Sequence, residues 1–160
     1  MKKIMIVDDN YLSAEGIEKN IDWETLNAEI IHVCYNGTSA IEAMKKEPAD
    51  LIISDIEMPD LDGISMSRQA LEINPMVKII LISAYDKFEY ARRALLLGAL
   101  DYIEKPLDYA YLIQKVKNAF ALMEKEQKNL QLLKQSRPLL TEKFFREITH
   151  LPSSDAAYRL

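Results

Sequence analysis

The 160 residues include one cysteine, four glycines and one tryptophan, and each shortage excludes a class of protein. A lone Cys34 cannot close an internal disulfide, so nothing demands an oxidising compartment, and it reads as a small buried apolar group on a strand. Glycines at 16, 37, 63 and 98 form no phosphate-cradling loop, which sets nucleotide-binding folds aside. Positive charge is also short: 20 Lys+Arg stand against 25 Asp+Glu, a net charge of −5. That balance argues against a nucleic-acid surface spread over these residues, so any DNA contact comes from elsewhere. No hydrophobic run is long. The opening MKKIMIVDDN meets two aspartates too soon for a signal segment or a membrane span, so a cytoplasmic address without membrane contact is expected.

What is present describes a soluble globular chain, 49% hydrophobic and 28% charged, long enough for one domain with an appendage. Residues 4–7 (IMIV), 51–54 (LIIS) and 77–82 (VKIILI) are short apolar runs of the kind a strand covered on both faces shows. Residues 29–34 and 100–103 are weaker strands, interrupted by His32 and Asp101. Between them lie helical patterns. The first runs from Tyr11 to about Ile21, with Leu12, Ile17 and Ile21 inward and Asn10 as N-cap, and Trp23 and Leu26 then cover a connection. Asn36-Gly37 makes a turn before a helix carrying Ala40, Ile41, Ala43 and Met44, which Lys45-Lys46 ends. Asp62-Gly63 opens a third, with Ile64, Met66, Ala70, Leu71 and Ile73 inward, and Asn74-Pro75 stops it. A fourth, from about 86 to 97, carries Phe88, Ala91, Ala94 and Leu95 and is capped by Gly98.

Five strands alternating with helices predict an α/β fold: a doubly wound (βα)5 parallel sheet with helices on both faces. The three most apolar strands belong in the middle and the interrupted two at the edges. The resulting order is 2-1-3-4-5, the flavodoxin-like arrangement.

In such a sheet every strand ends on one rim. Asp8 and Asp9 follow the first strand, Asp55 the third, Ser83 the fourth and Lys105 the fifth. Each has an ordinary explanation alone: a capping acid, a turn-former before Pro59, a loop hydroxyl, a solvated charge. Together they converge. Three carboxylates at one place repel unless a cation neutralises them or one holds a proton, and oxygen-only ligands suit a hard ion such as Mg²⁺. With a lysine and a hydroxyl beside them, such a site is equipped for phosphoryl transfer onto the Asp55 carboxylate.

The stretches VDDN at 7–10, SDIEMPDLDG at 54–63, LISAYD at 81–86 and GALDYIEKPLD at 98–108 resemble the receiver domain of two-component response regulators, over about residues 1–125. The resemblance implies that Asp55 accepts the phosphoryl group from a sensor histidine kinase, and that Asp8, Asp9, Asp55 and the backbone carbonyl of Glu57 hold Mg²⁺. It implies that Lys105 answers the phosphoryl charge, that Ser83 and Tyr102 are the switch pair, and that Lys105-Pro106 is cis. Two departures are mild: Asn10 stands where many relatives have a third acid, and Ser83 replaces the commoner threonine. A phosphoryl group adds roughly −1.5 to −2 charges, so Ser83 is expected to turn inward, Tyr102 to fill the space it leaves, and the fourth helix, fifth strand and fifth helix to repack. Phe88 is expected in the core, and Tyr35, Tyr85, Tyr90, Tyr109 and Tyr111 as partly exposed packing.

Past Asp108 the apolar pattern continues through Leu112, Val116, Ala119, Met123, Leu130 and Leu133 towards Pro138, with Glu126 breaking the seam. An extended helix pairing two copies into a homodimer is expected, with residues 126–160 a helical linker, including a short amphipathic helix at 139–148. That segment, with IDW at 21–23 and SAYDKFEYA at 83–91, resembles regulators carrying an AraC-type DNA-binding domain, so the output domain is expected to lie outside these residues. The chain is expected to be a phosphoacceptor and not a turnover enzyme. The alternatives are a receiver-like interaction module that never takes phosphate, and an aspartate-nucleophile phosphatase of the haloacid-dehalogenase type. The latter places its nucleophile on the first strand.

Overall fold

Alternating apolar runs and amphipathic stretches produce strictly alternating elements in the computed structural model, which describes residues 1–84, 88–99 and 101–136. In order they are β1 (Lys2–Val7), α1 (Tyr11–Asn20), β2 (Ala28–Cys34), α2 (Gly37–Lys46), β3 (Leu51–Asp55), α3 (Gly63–Ile73), β4 (Lys78–Ser83), α4 (Phe88–Leu97), β5 (Asp101–Glu104) and α5 (Tyr109–Ser136). The strands form one parallel sheet in the expected order β2-β1-β3-β4-β5. His32 and Asp101 stand on its two edge strands. Register aligns the strand ends: Val7 with Ser54, Asp55 with Ile82, and Ser83 with Glu104.

The central strands are apolar on both sides because both sides are covered. Met5, Val7, Ile52, Ile79 and Leu81 join Met44, Ile64, Met66, Ala70 and Ala94 from α2, α3 and α4 in one core. The alternate positions Ile4, Ile6, Leu51, Ile53, Ile80 and Ile82 face the other way along the pleat and are just as buried. Ala14 and Ile17 of α1 and Leu112, Val116 and Ala119 of α5 supply the buried helical residues for that side. Each fully buried isoleucine contributes roughly 2 kcal/mol.

Side-chain caps set the helix starts. Asn10 Oδ1 accepts from the Ser13 amide at 3.2 Å, Asn36 Oδ1 from Ser39 at 2.7 Å and Asp62 Oδ1 from Ser65 at 2.8 Å. Each such cap contributes about 1 kcal/mol. Gly37 is therefore the first residue of α2 and not part of a separate turn. Gly98 ends α4 with φ +95°, and the Lys105-Pro106 bond is cis, both as expected.

Two apolar residues point elsewhere than the sequence suggests. Leu12 is 77% exposed and Leu95 70%. Ala14, Ile17 and Ile21 define the inward line of α1, and Leu12 lies two residues, roughly 200°, around the helix from Ala14. Leu95 is displaced from buried Ala94 by one residue, roughly 100°. Strand ends also differ, because β3 and β4 continue through Asp55 and Ser83, which close their strands from within. Trp23 is buried, its Nε1 donating to the Ile17 carbonyl at 3.3 Å, while Leu26 is half-buried. Cys34 is buried, and burial pushes its thiol up. Tyr35 is exposed and stacks on Tyr11 at 5.2 Å, Tyr90 and Tyr109 are half-buried, and Tyr111 is exposed.

By contacts the chain divides into Met1–Ala121 and a second unit beginning at Leu122. In the first, Leu112, Val116 and Ala119 are fully buried; in the second, Leu130 and Leu133 are about half exposed and Leu132 more so. No described helix is long and apolar enough to cross a membrane. The expectations for Tyr85, Asp86, Leu100, the side chains of Phe88 and Ala91, and the helix at 139–148 lie outside the described residues.

Candidate functional site

The aligned strand ends bring the rim residues together. Asp8 and Asp9 leave β1, Asp55 closes β3, and each offers a carboxylate oxygen within 4.8 Å of the others, close enough to share a metal ion. Asp8 and Asp55 are buried and Asp9 is exposed, so the cluster opens to solvent on one side. Lys105, half-buried beyond β5, places its Nζ 3.5 Å from Asp8 Oδ2 and 3.6 Å from Asp55 Oδ2. The Asn10 amide donates to Asp8 Oδ1 at 2.9 Å, and the Glu57 amide donates to the Asp55 carboxylate.

The fold crowds like charges at this rim. Burial, and then the neighbouring Asp8 charge, raise the Asp55 carboxyl to about 6, against the pull of Lys105. Burial also raises Asp8, against the Asn10 amide and Lys105. One lysine cannot balance three carboxylates, and an oxygen-only donor set with two raised acids fits a hard divalent cation.

Ser83 lies beside this group. It is fully buried at the end of β4, and its carbonyl accepts the Lys105 amide at 2.7 Å, so the hydroxyl-bearing and amine-bearing residues are locked to each other through the backbone. Tyr102, two residues before Glu104 in β5, is half-buried and packs against the core shared with α4. Glu57 and Asp9 line one cleft of about 440 Å³ together with Met58, Asp62, Tyr90 and Arg93. Glu57 Oε1 is buried there with no hydrogen-bond partner among the described residues.

Three features carry no signal in the sequence. Arg93 of α4 reaches the cleft, and nothing in its sequence position distinguishes it from other surface arginines. Asp101 pairs with Lys115 of α5 at 3.0 Å, and Lys115 also lies 5.0 Å above the Tyr111 ring. Asp60, in the loop after Asp55, bonds to the start of α2. The first depends on which helix stands over the rim, and the other two on contacts between residues of different elements.

Comparison with known proteins agrees with this geometry. Residues 4–117 match the family described as the response regulator receiver domain. Among solved structures, the receiver domain of AraT, a response regulator from Geobacillus stearothermophilus, is 34% identical with a TM-score of 0.74, covering 79% of this chain and 98% of that one. A two-component transcriptional regulator AraC from Clostridium phytofermentans is 30% identical with a TM-score of 0.71, covering 81% and 99%. The transcriptional regulatory protein YesN of Bacillus subtilis is 29% identical over 126 residues, 79% of this chain. The chain spans only 34% to 44% of the length of the curated relatives it matches. With the family match covering most of the chain and the acid cluster in place, the chain belongs to the response regulator receiver domain family.

Proposed function

We propose that this chain is a phosphorylation-controlled receiver: Asp55 takes a phosphoryl group from the phosphohistidine of a sensor kinase in a Mg²⁺-dependent reaction, and the change is passed to an output domain that controls transcription. The observation that carries the reading is the set of three carboxylates within 4.8 Å with an amine 3.6 Å from the Asp55 oxygen. Asp8, Asp9, Asp55 and the Glu57 carbonyl are the residues to hold Mg²⁺, which when bound neutralises developing negative charge on phosphoryl oxygens.

The residues divide the work. Ionised Asp55 supplies the attacking oxygen; the phosphorus–nitrogen bond of the donor breaks as the phosphorus–oxygen bond forms, and the imidazole leaves with its electron pair. Lys105 already touches Asp55 and is positioned to answer the charge that arrives. Ser83 supplies a hydroxyl donor and Tyr102 the aromatic that follows it, so the response passes to α4, β5 and α5 with a coupling of ~1–3 kcal/mol. The product is a modified protein, with self-dephosphorylation at most, so the chain is not a turnover enzyme.

Residues 1–125 form the receiver in this reading, and 126–160 lead as a helical linker towards an AraC-type output domain, through which alone the protein meets DNA. Exposed Leu130, Leu132 and Leu133 support pairing of two copies along the extended α5. A cytoplasmic address follows from the kinase partner. The test is phosphoryl uptake from acetyl phosphate and Mg²⁺, abolished in Asp55→Ala.

A further inference from the structure

Residues 56–62 cross the mouth of the acid cluster between β3 and α3, and an irregular loop has no path except the one its contacts impose. At its start the Ile56 amide donates to the Ile82 carbonyl at 2.9 Å, and at its end the Gly63 amide donates to the Ile56 carbonyl at 2.8 Å. Among the described residues, the middle is held by the Asp60 side chain. Asp60 Oδ1 accepts from the Gly37 amide at 3.3 Å and Oδ2 from the Thr38 amide at 3.2 Å, and the Thr38 hydroxyl donates to the same carboxylate.

The start of α2 accounts for this contact fully. Of its leading amides, Ser39 goes to the Asn36 side chain and Ala40 to the Asn36 carbonyl. Gly37 and Thr38 would be left to water, as the first amides of a helix usually are, and Asp60 takes both from 22 and 23 residues away. Contact continues at the next residue: a side chain at Gly37 would collide with the Leu61 carbonyl and lie 2.7 Å from Leu61 Cβ. The Thr38 hydroxyl, foremost among these donors, holds Asp60 down to about 2, so the tether is charged at neutral pH.

We propose that Asp60 is a positioning residue for the site: clamped on α2, its carboxylate fixes the loop of residues 56–62 so that the Glu57 backbone stands ready beside Asp9 and Asp55 for a divalent cation. This rests on the phosphoacceptor reading above. Asp60 touches none of the reacting atoms and acts through the path of the loop, with α2 as its anchor.

Two variants test it, Asp60→Ala and Thr38→Val, the second keeping both α2 amides and removing only the hydroxyl. Calorimetric titration with MgCl₂ and amide hydrogen exchange of residues 57–62 are read beside the melting temperature without metal. Asp60→Ala is expected to weaken Mg²⁺ binding about tenfold, the low end for groups that orient ligands, and to speed exchange in the loop. Thr38→Val should shift both in the same direction by less, and saturating Mg²⁺ should restore phosphorylation of either variant. A folded Asp60→Ala chain with unchanged Mg²⁺ affinity and a lowered melting temperature would overturn the proposal, reducing Asp60 to a helix cap. If Asp60→Ala does not fold, unchanged affinity and loop exchange in Thr38→Val would overturn it equally. A native chain that takes up no Mg²⁺ would instead remove the phosphoacceptor reading, and this proposal with it.

Discussion

Asp55 carries two opposite requirements on one side chain. As a nucleophile it must be ionised, yet burial and the Asp8 charge raise it to about 6 from the usual 3.8. The folded state therefore holds the proton more tightly than the unfolded chain does between about pH 4 and 6. Stability from this residue is fully present below about 4 and is lost as pH rises through about 6, a loss of about 3 kcal/mol that Asp55 shares with the coupled Asp8. Asp55→Asn removes the charge and keeps the shape. Without metal, it should melt several degrees higher than the native chain at pH 8 and show no advantage at pH 4. Equal melting temperatures at pH 8 would mean that the acids do not strain one another. Addition of Mg²⁺ should reverse the order, stabilising the native chain and leaving the variant nearly unmoved.

At the scale of elements, the site depends on two strands ending together and on a loop pressed against one of them. A Cβ at Gly63 would collide with the Asp55 carbonyl, whereas one at Gly98 would meet nothing within 4 Å among the described residues and suffer from φ +95°. Gly63→Ala should therefore cost over 2 kcal/mol in urea unfolding and disturb phosphorylation, while Gly98→Ala should cost about 1 kcal/mol and leave the rim intact. Equal costs would contradict the close approach. The order of the sheet was legible from the apolar runs, since only strands buried on both faces read IMIV, LIIS or VKIILI. Asp8, Asp9, Asp55 and Ser83 were legible for the same reason, as polar residues where those runs stop, and Lys105 as the charge that follows the weaker fifth strand. Leu12 and Leu95 misled because a helix that exposes leucine keeps the composition of one that buries it, and only the neighbouring alanines mark the inward line. Asp60 was not legible at all, because its partners lie 22 and 23 residues earlier and an acid after proline reads as a turn.

For the whole molecule, α5 links a buried beginning to an exposed continuation. Leu112, Val116 and Ala119 are used up by the core, which leaves half-buried Met123 and exposed Leu130, Leu132 and Leu133 for the proposed pairing of copies along this helix. Sedimentation of residues 1–160 should give a dimer and of residues 1–125 a monomer, and two monomers would contradict the pairing. The central claim is that crowded acids, a lysine and a divalent ion make one carboxylate a phosphoryl acceptor. It is tested most directly by the intact mass of the chain after incubation with acetyl phosphate and Mg²⁺. The account predicts a gain of one phosphoryl group, absent without Mg²⁺ and absent in Asp55→Ala; an unchanged mass, or a gain that survives the substitution, would contradict it.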